Sequence, residues 1–193
     1  MPSPIAHTLA GLGLAAAIPS RGAPALLWAA LGIFAANAPD LDFVPGLILG
    51  DANRWHQGPS HSLAAALALA LAGGGAAYLA GRGGRARAAL VAALLAAGLA
   101  SHLLLDLFAE DRREPMGIPL LWPWSTETFK APWVIFGAIR HGGPETTLRE
   151  LVAAVLSREN LAPVLREVAV LLPLLLAAAV LRRARRRGAP SPP

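Results

Sequence analysis

The polar residues of this 193-residue chain are few enough to place one by one. His7 opens an apolar run. Asp40 and Asp42 stand in APDLDFVPG, His56 and His61 in RWHQGPSHS ahead of a second apolar run, and His102 and Asp106 in SHLLLD at the end of a third. Imidazole and carboxylate are the ligand set of zinc, and also of manganese or iron. Seven such groups suffice for one ion with supporting partners, or for two. His102 and Asp106 are four residues apart, so a helix presents both on one face. No acidic residue occurs between Ala52 and Leu105, so Asp106 stands alone at the end of an apolar helix, where an ionisable group is costly and marks a site. A divalent ion held there activates water, with Asp40 and His56 as the candidates for acid–base work.

The elements that must position these residues are apolar. Hydrophobic residues make up 55% of the chain and mean hydropathy is +0.50. Five apolar segments stand out, at 5–18, 24–38, 61–80, 86–108 and 161–181. The last three approach the ~20 residues of a bilayer span. The first two are bracketed by prolines and reach only about 22 Å, against a hydrocarbon core of about 30 Å. The expected fold is an all-α polytopic membrane bundle of about five apolar helices (residues 1–181), with a basic and Pro-rich cytoplasmic tail (182–193). The competing reading is a soluble Ala/Leu-rich bundle.

Sixteen of the seventeen basic residues are Arg, and they gather at the ends of apolar runs. That pattern is one of membrane topology rather than nucleic-acid binding. With five crossings, Arg21, the Arg82–Arg87 group and the Arg182–Arg187 group fall on one side, the cytoplasm. The N-terminus is then outside, the C-terminus inside, and all seven site candidates lie in one outer layer. Trp55, Trp122, Trp124 and Trp133 fall on the same outer side, where tryptophan favours the headgroup level. Residues 1–18 lack the positive region of a signal peptide, so the N-terminus is read as retained. The connection from 109 to 160 carries TTLRELVAAVLSREN, an amphipathic helix with a capping box at Thr147 and Glu150. Ser60 and Ser62 are read as helix caps, Asp51 and Asn53 as solvated, and His141 as a surface loop residue. The GGG at 73–75 marks close helix packing. The absence of cysteine excludes thiolate ligands and disulfides.

Taken in order, HTLAG, PDLD, H-x-G-P-S-H-S, SHLLLD and LLWPWS resemble the membrane-bound metal-dependent hydrolase family (YdjM-like, also called LexA-binding inner-membrane-associated hydrolases), over about residues 1–125. The family usually reads H-R-G-x-T-H-S where this chain has Gln57 and Ser60, a swap that removes a cation and keeps a hydroxyl. The order His, Asp, His, H-x-x-x-D also resembles the zinc-dependent phospholipase C and P1 nuclease group, where the last pair, here His102 and Asp106, ligates zinc. That similarity implies phosphoester hydrolysis. Those enzymes have further His and Glu ligands soon afterwards, whereas here the next histidine is His141.

Together these readings predict a hydrolase of the bacterial inner membrane. It holds one or two divalent ions, zinc first, through His7, Asp40, Asp42, His56, His61, His102 and Asp106. It acts on a phosphoester of a lipid or lipid-linked substrate at the non-cytoplasmic face. The rival classes are a metal or proton transporter, and a non-catalytic adaptor with a structural metal whose Arg-rich tail binds a partner or anionic lipid.

Overall fold

The computed structural model describes residues 1–18, 24–81, 84–112, 114–143 and 145–187, the last three as backbone. Arg21, Arg82, the side chains of Arg185 to Arg187 and residues 188–193, on which part of the orientation and the tail reading rest, lie outside the described residues. Among the described residues the elements are all helical: α1 (Pro4–Ala17), α2 (Ala25–Asn37), α3 (Phe43–Ile48), α4 (Leu63–Leu79), α5 (Gly84–Leu107), α6 (Leu148–Val155) and α7 (Leu161–Arg187). Short 3-10 turns span Ala38–Asp42, Pro59–His61 and Arg158–Asn160.

Local chemistry sets the starts. Ser3 caps α1, its hydroxyl accepting the Ala6 N–H, and Pro4 takes the first helical position. Ser62 caps α4 in the same way through Ala65. At α6 the Thr147 side chain accepts from the Glu150 N–H while Glu150 accepts from the Thr147 N–H, the capping box read from sequence.

All five apolar segments are helical, but their lengths correct the expectation of about five crossings. Two helices, α5 and α7, are long and apolar enough to cross a membrane. α1 and α2 have 14 and 13 residues. Segment 61–80 yields only the 17 residues of α4, about 26 Å, because the Pro59–His61 turn takes up its beginning and holds His61 out of the helix.

α5 is the central element. It packs on α4, α2 and α1, while α1 also packs on α2 and α7. Leu94 and Leu95 sit between α2 and its neighbours, and Leu99 and Leu103 meet Ala66 and Ile118. Glycine lets the axes approach. A Cβ on Gly98 would lie 2.5 Å from the Ala35 Cβ, and one on Gly11 would overlap the Gly32 carbonyl. Gly73 and Gly74 likewise face Leu95 and Ala92, whereas Gly75 faces open space, so two members of GGG serve close packing. α7 is different. Only 11% of its apolar window is buried in protein, and Leu165, Leu174, Leu176, Val180 and Leu181 are exposed. An apolar surface of that extent marks a face that meets a membrane or another protein, which argues against a soluble bundle standing alone.

Candidate metal centre

The seven candidates arrive from five places in the chain. His7 lies in the first turn of α1, Asp40 and Asp42 in the turn after α2, and His56 in the following loop. His61 lies in the turn before α4, and His102 and Asp106 near the end of α5. The packing of α1, α2 and α4 around α5 brings all seven to one end of the helix layer. Two groupings, His7–His102–Asp106 and Asp40–His56–His61, each have ligand atoms within 4.8 Å of one another.

The tightest cage takes two members from each grouping. His61 Nε2 lies 3.1 Å from His102 Nε2. Each of these nitrogens lies near Asp40 Oδ1, at 3.5 and 3.6 Å, and near Asp106 Oδ2, at 3.5 and 3.4 Å. Ligands held tetrahedrally at about 2.0–2.2 Å from zinc stand about 3.3–3.6 Å apart, and the separations between these ring nitrogens and carboxylate oxygens lie in or close to that range. The tautomers agree. His102 Nδ1 is 2.8 Å from the Ala36 carbonyl, which can only accept, so this nitrogen carries the proton and Nε2 faces inward as the donor. His61 Nδ1 faces Asp42 Oδ2 at 3.2 Å, leaving its Nε2 inward as well.

Burial sharpens the point. His7, His61 and His102 are fully buried and Asp106 nearly so. Both oxygens of Asp40, both oxygens of Asp106 and both nitrogens of His7 are buried without a hydrogen-bond partner among the described residues. Buried polar groups are ordinarily paired, and carboxylate oxygens facing ring nitrogens suit a cation. The residues present therefore fit a divalent metal.

Asp42 has a different role. Its Oδ1 meets His56 Nδ1 at 3.0 Å. Its Oδ2 accepts the Gln57 N–H at 3.1 Å and the Ser60 hydroxyl at 2.8 Å, in addition to facing His61. The carboxylate is satisfied outside the cage and orients two rings, as carboxylates behind metal-ligating histidines do. His56 also stands outside the cage, stacked on Phe43 at 3.9 Å with Nδ1 3.9 Å from Asp40 Oδ1. His7 stacks on His102 at 3.9 Å, its Nε2 3.7 Å from Asp106 Oδ1.

Electrostatics follow the geometry. Burial opposes ionisation of Asp40, but the imidazoles of His102 and His61 outweigh it and hold the carboxyl below its ordinary range. For Asp42, burial is outweighed by hydrogen bonds from His56 and His61, and its carboxyl too lies well below the usual range. Burial would lower His61, but the facing carboxylates of Asp40 and Asp42 push it up to about 10. Burial prevails at His56 and lowers it despite Asp42.

Three readings change. Ser60 is no helix cap; its hydroxyl donates to Asp42 and lies 3.0 Å from His61 Nδ1, while Ser62 does cap α4. Asn53 is buried rather than solvated, and bonds the Gly143 carbonyl and His141 Nδ1. His141 is half-buried, edge-on to His56 at 5.4 Å, and joins the outer wall of the site. Glu167, in α7, was not singled out. It is fully buried and accepts from the Ser3 N–H at 2.7 Å and from the Ser3 hydroxyl. An acidic residue inside an apolar segment was the available signal.

A helical membrane protein with a buried His/Asp cluster at one end of its helices is the class these features define. Residues 1–186 match the family model described as YdjM inner membrane protein, and the chain belongs to that family. It is similar to inner membrane protein YbcI of Escherichia coli (strain K12), 33% identical over 138 residues, which cover 70% of this chain and 75% of that protein. No solved structure matches it. The bacterial inner membrane is thus its location.

Proposed function

We propose that the protein is a metal-dependent hydrolase that cleaves a phosphoester of a lipid or lipid-linked substrate at the non-cytoplasmic face of the inner membrane, with the C-terminus in the cytoplasm. The observation that carries the reading is the four-atom cage of His61, His102, Asp106 and Asp40, whose carboxylates lack hydrogen-bond partners. His61, His102 and Asp106 would hold the ion, zinc first. Three protein ligands leave a position for water or substrate, the pattern of catalytic zinc sites. Such an ion supplies a Lewis acid that brings the pKa of a bound water towards neutrality.

Asp40, the fourth member of the cage, stands beside that open position. Its side chain is the least enclosed of the four, 13% exposed while those of His61, His102 and Asp106 are fully buried, and its carboxylate is suited to take and return a proton. His56 stands beside Asp40 with its Nδ1 held by Asp42. Asp42 fixes both rings, and His7 backs Asp106. The order of motifs, similar to the zinc-dependent phospholipase C group, supports a phosphoester as the scissile bond. The site's position at the ends of apolar helices supports a substrate in the headgroup layer. The test is hydrolysis of bis-p-nitrophenyl phosphate and of phospholipid vesicles by purified zinc-loaded protein. The account predicts turnover that falls at least a hundredfold in Asp40→Asn and is lost in Asp106→Ala. Equal turnover in wild type and both variants would overturn it.

A further inference from the structure

Beside the cage, with Asp40 in its wall, lies a cavity of about 300 Å³. Its walls are apolar (Leu41, Phe43, Ile139, Leu151 and Val155 among them) except where Asp40, Asn37 and His141 reach it. That volume is at the lower end of the roughly 300–1,000 Å³ of small-molecule sites, enough for part of one chain.

Two elements frame the opening, and neither is covered by described residues. In α6, Leu151 and Val155 line the cavity, while Leu148 and Val152, on the neighbouring stripe of the same apolar face, and Leu156 just after the helix are exposed. No residue of α6 is buried, although its face is strongly amphipathic, as in helices that lie in the headgroup boundary. Leu41 and Phe43 line the cavity from the α3 side, where Leu41, Val44, Ile48 and Leu49 are exposed too. In an inner-membrane protein a rim of this kind continues into the hydrocarbon of the bilayer.

We infer that this cavity is the binding site for the hydrocarbon chain of an amphiphile whose phosphate reaches the cage past Asp40, with α6 lying in the membrane surface as the lip over which the chain enters from the bilayer. The inference rests on the hydrolase reading for the role of the phosphate, and it narrows the substrate to a lipid that inserts one chain laterally. Asp40 is the hinge of the argument, since it is both a wall of the cavity and a vertex of the cage.

The test uses the full chain in lipid nanodiscs with a twelve-carbon alkyl phosphate bearing a terminal diazirine. After irradiation, the labelled peptides are mapped in wild type and in two variants that fill the cavity without touching the cage, Leu151→Trp and Ile139→Trp. The expected result is label concentrated between Ile139 and Val155 and around Phe43, reduced at least fivefold in both variants while metal content stays at the wild-type level. Label spread over the outward faces of α4 and α7, or cavity labelling unchanged by both substitutions, would overturn the inference. If a variant does not fold, the wild-type map decides alone. Cavity labelling without turnover of any phosphoester leaves the chain site standing and removes the hydrolase reading. Turnover of a soluble phosphoester with scattered labelling does the reverse.

Discussion

His61 Nε2 and His102 Nε2 face each other at 3.1 Å, and the other nitrogen of each ring is already committed, His61 Nδ1 to Asp42 and His102 Nδ1 to the Ala36 carbonyl. Two ring nitrogens oriented this way present their lone pairs to the same point, with two carboxylate oxygens beside them. The arrangement favours a proton or a cation between them, and the nitrogen–oxygen separations of 3.4–3.6 Å are those of ligands sharing one ion.

Asp42 provides half of that orientation. Asp42→Asn keeps the size of the side chain but weakens the charge-assisted bonds to His56 and His61. Loss of such an orienting partner costs about 10–100-fold in metal affinity, and that drop is the expected result in competition with a calibrated zinc chelator. Wild-type affinity in Asp42→Asn would show that the carboxylate does not position His61.

The other half depends on helix packing. His102 reaches the Ala36 carbonyl because α5 lies close against α2 at Gly98, one turn earlier, where a Cβ would sit 2.5 Å from Ala35. Gly98→Ala should push the helices apart, with an overpacking cost of about 1–3 kcal/mol, and lower zinc affinity at the same time. Gly75→Ala, in open space on α4, should leave affinity unchanged and stability equal or up to about 1 kcal/mol higher, since alanine outranks glycine in helices. Thermal unfolding in detergent and chelator competition read both. Equal affinity in Gly98→Ala would separate packing from the site.

Glu167 ties α7 to the start of α1. Glu167→Ala leaves the buried Ser3 N–H and hydroxyl without their acceptor, a loss of about 1–3 kcal/mol. Glu167→Gln, which retains an acceptor oxygen, should lose less. Because His7 follows Ser3 by one helical turn, zinc affinity should fall in the same order. Unfolding temperatures that do not distinguish either variant from wild type would remove Glu167 from the account.

Much of this was legible in the sequence. Apolar runs and flanking prolines place α1, α2, α5 and α7 within a few residues, apart from the longer C-terminal end of α7, and the Thr147–Glu150 box places α6. The coincidence of His and Asp at one end of each run anticipates which residues meet. What the sequence could not show is division of labour. Asp40 and Asp42 are indistinguishable in PDLD, and only the 3-10 turn decides that one faces the cage while the other faces the outer nitrogens of His56 and His61. Ser60, Asn53 and His141 look like ordinary loop residues because their partners are distant, His141 lying 88 positions from Asn53. The shortening of α4 was hidden because Pro59 to His61 forms a turn to place an imidazole where hydropathy shows only the edge of an apolar run.

The central claim is that the cage binds a metal, and metal content tests it most directly. The detergent-purified protein, reconstituted with zinc and desalted, would be measured by elemental analysis beside His61→Ala/His102→Ala. The account predicts at least one equivalent of zinc per wild-type chain and none in the double variant. Wild-type protein that retains no metal, or a double variant that retains as much as wild type, would contradict it.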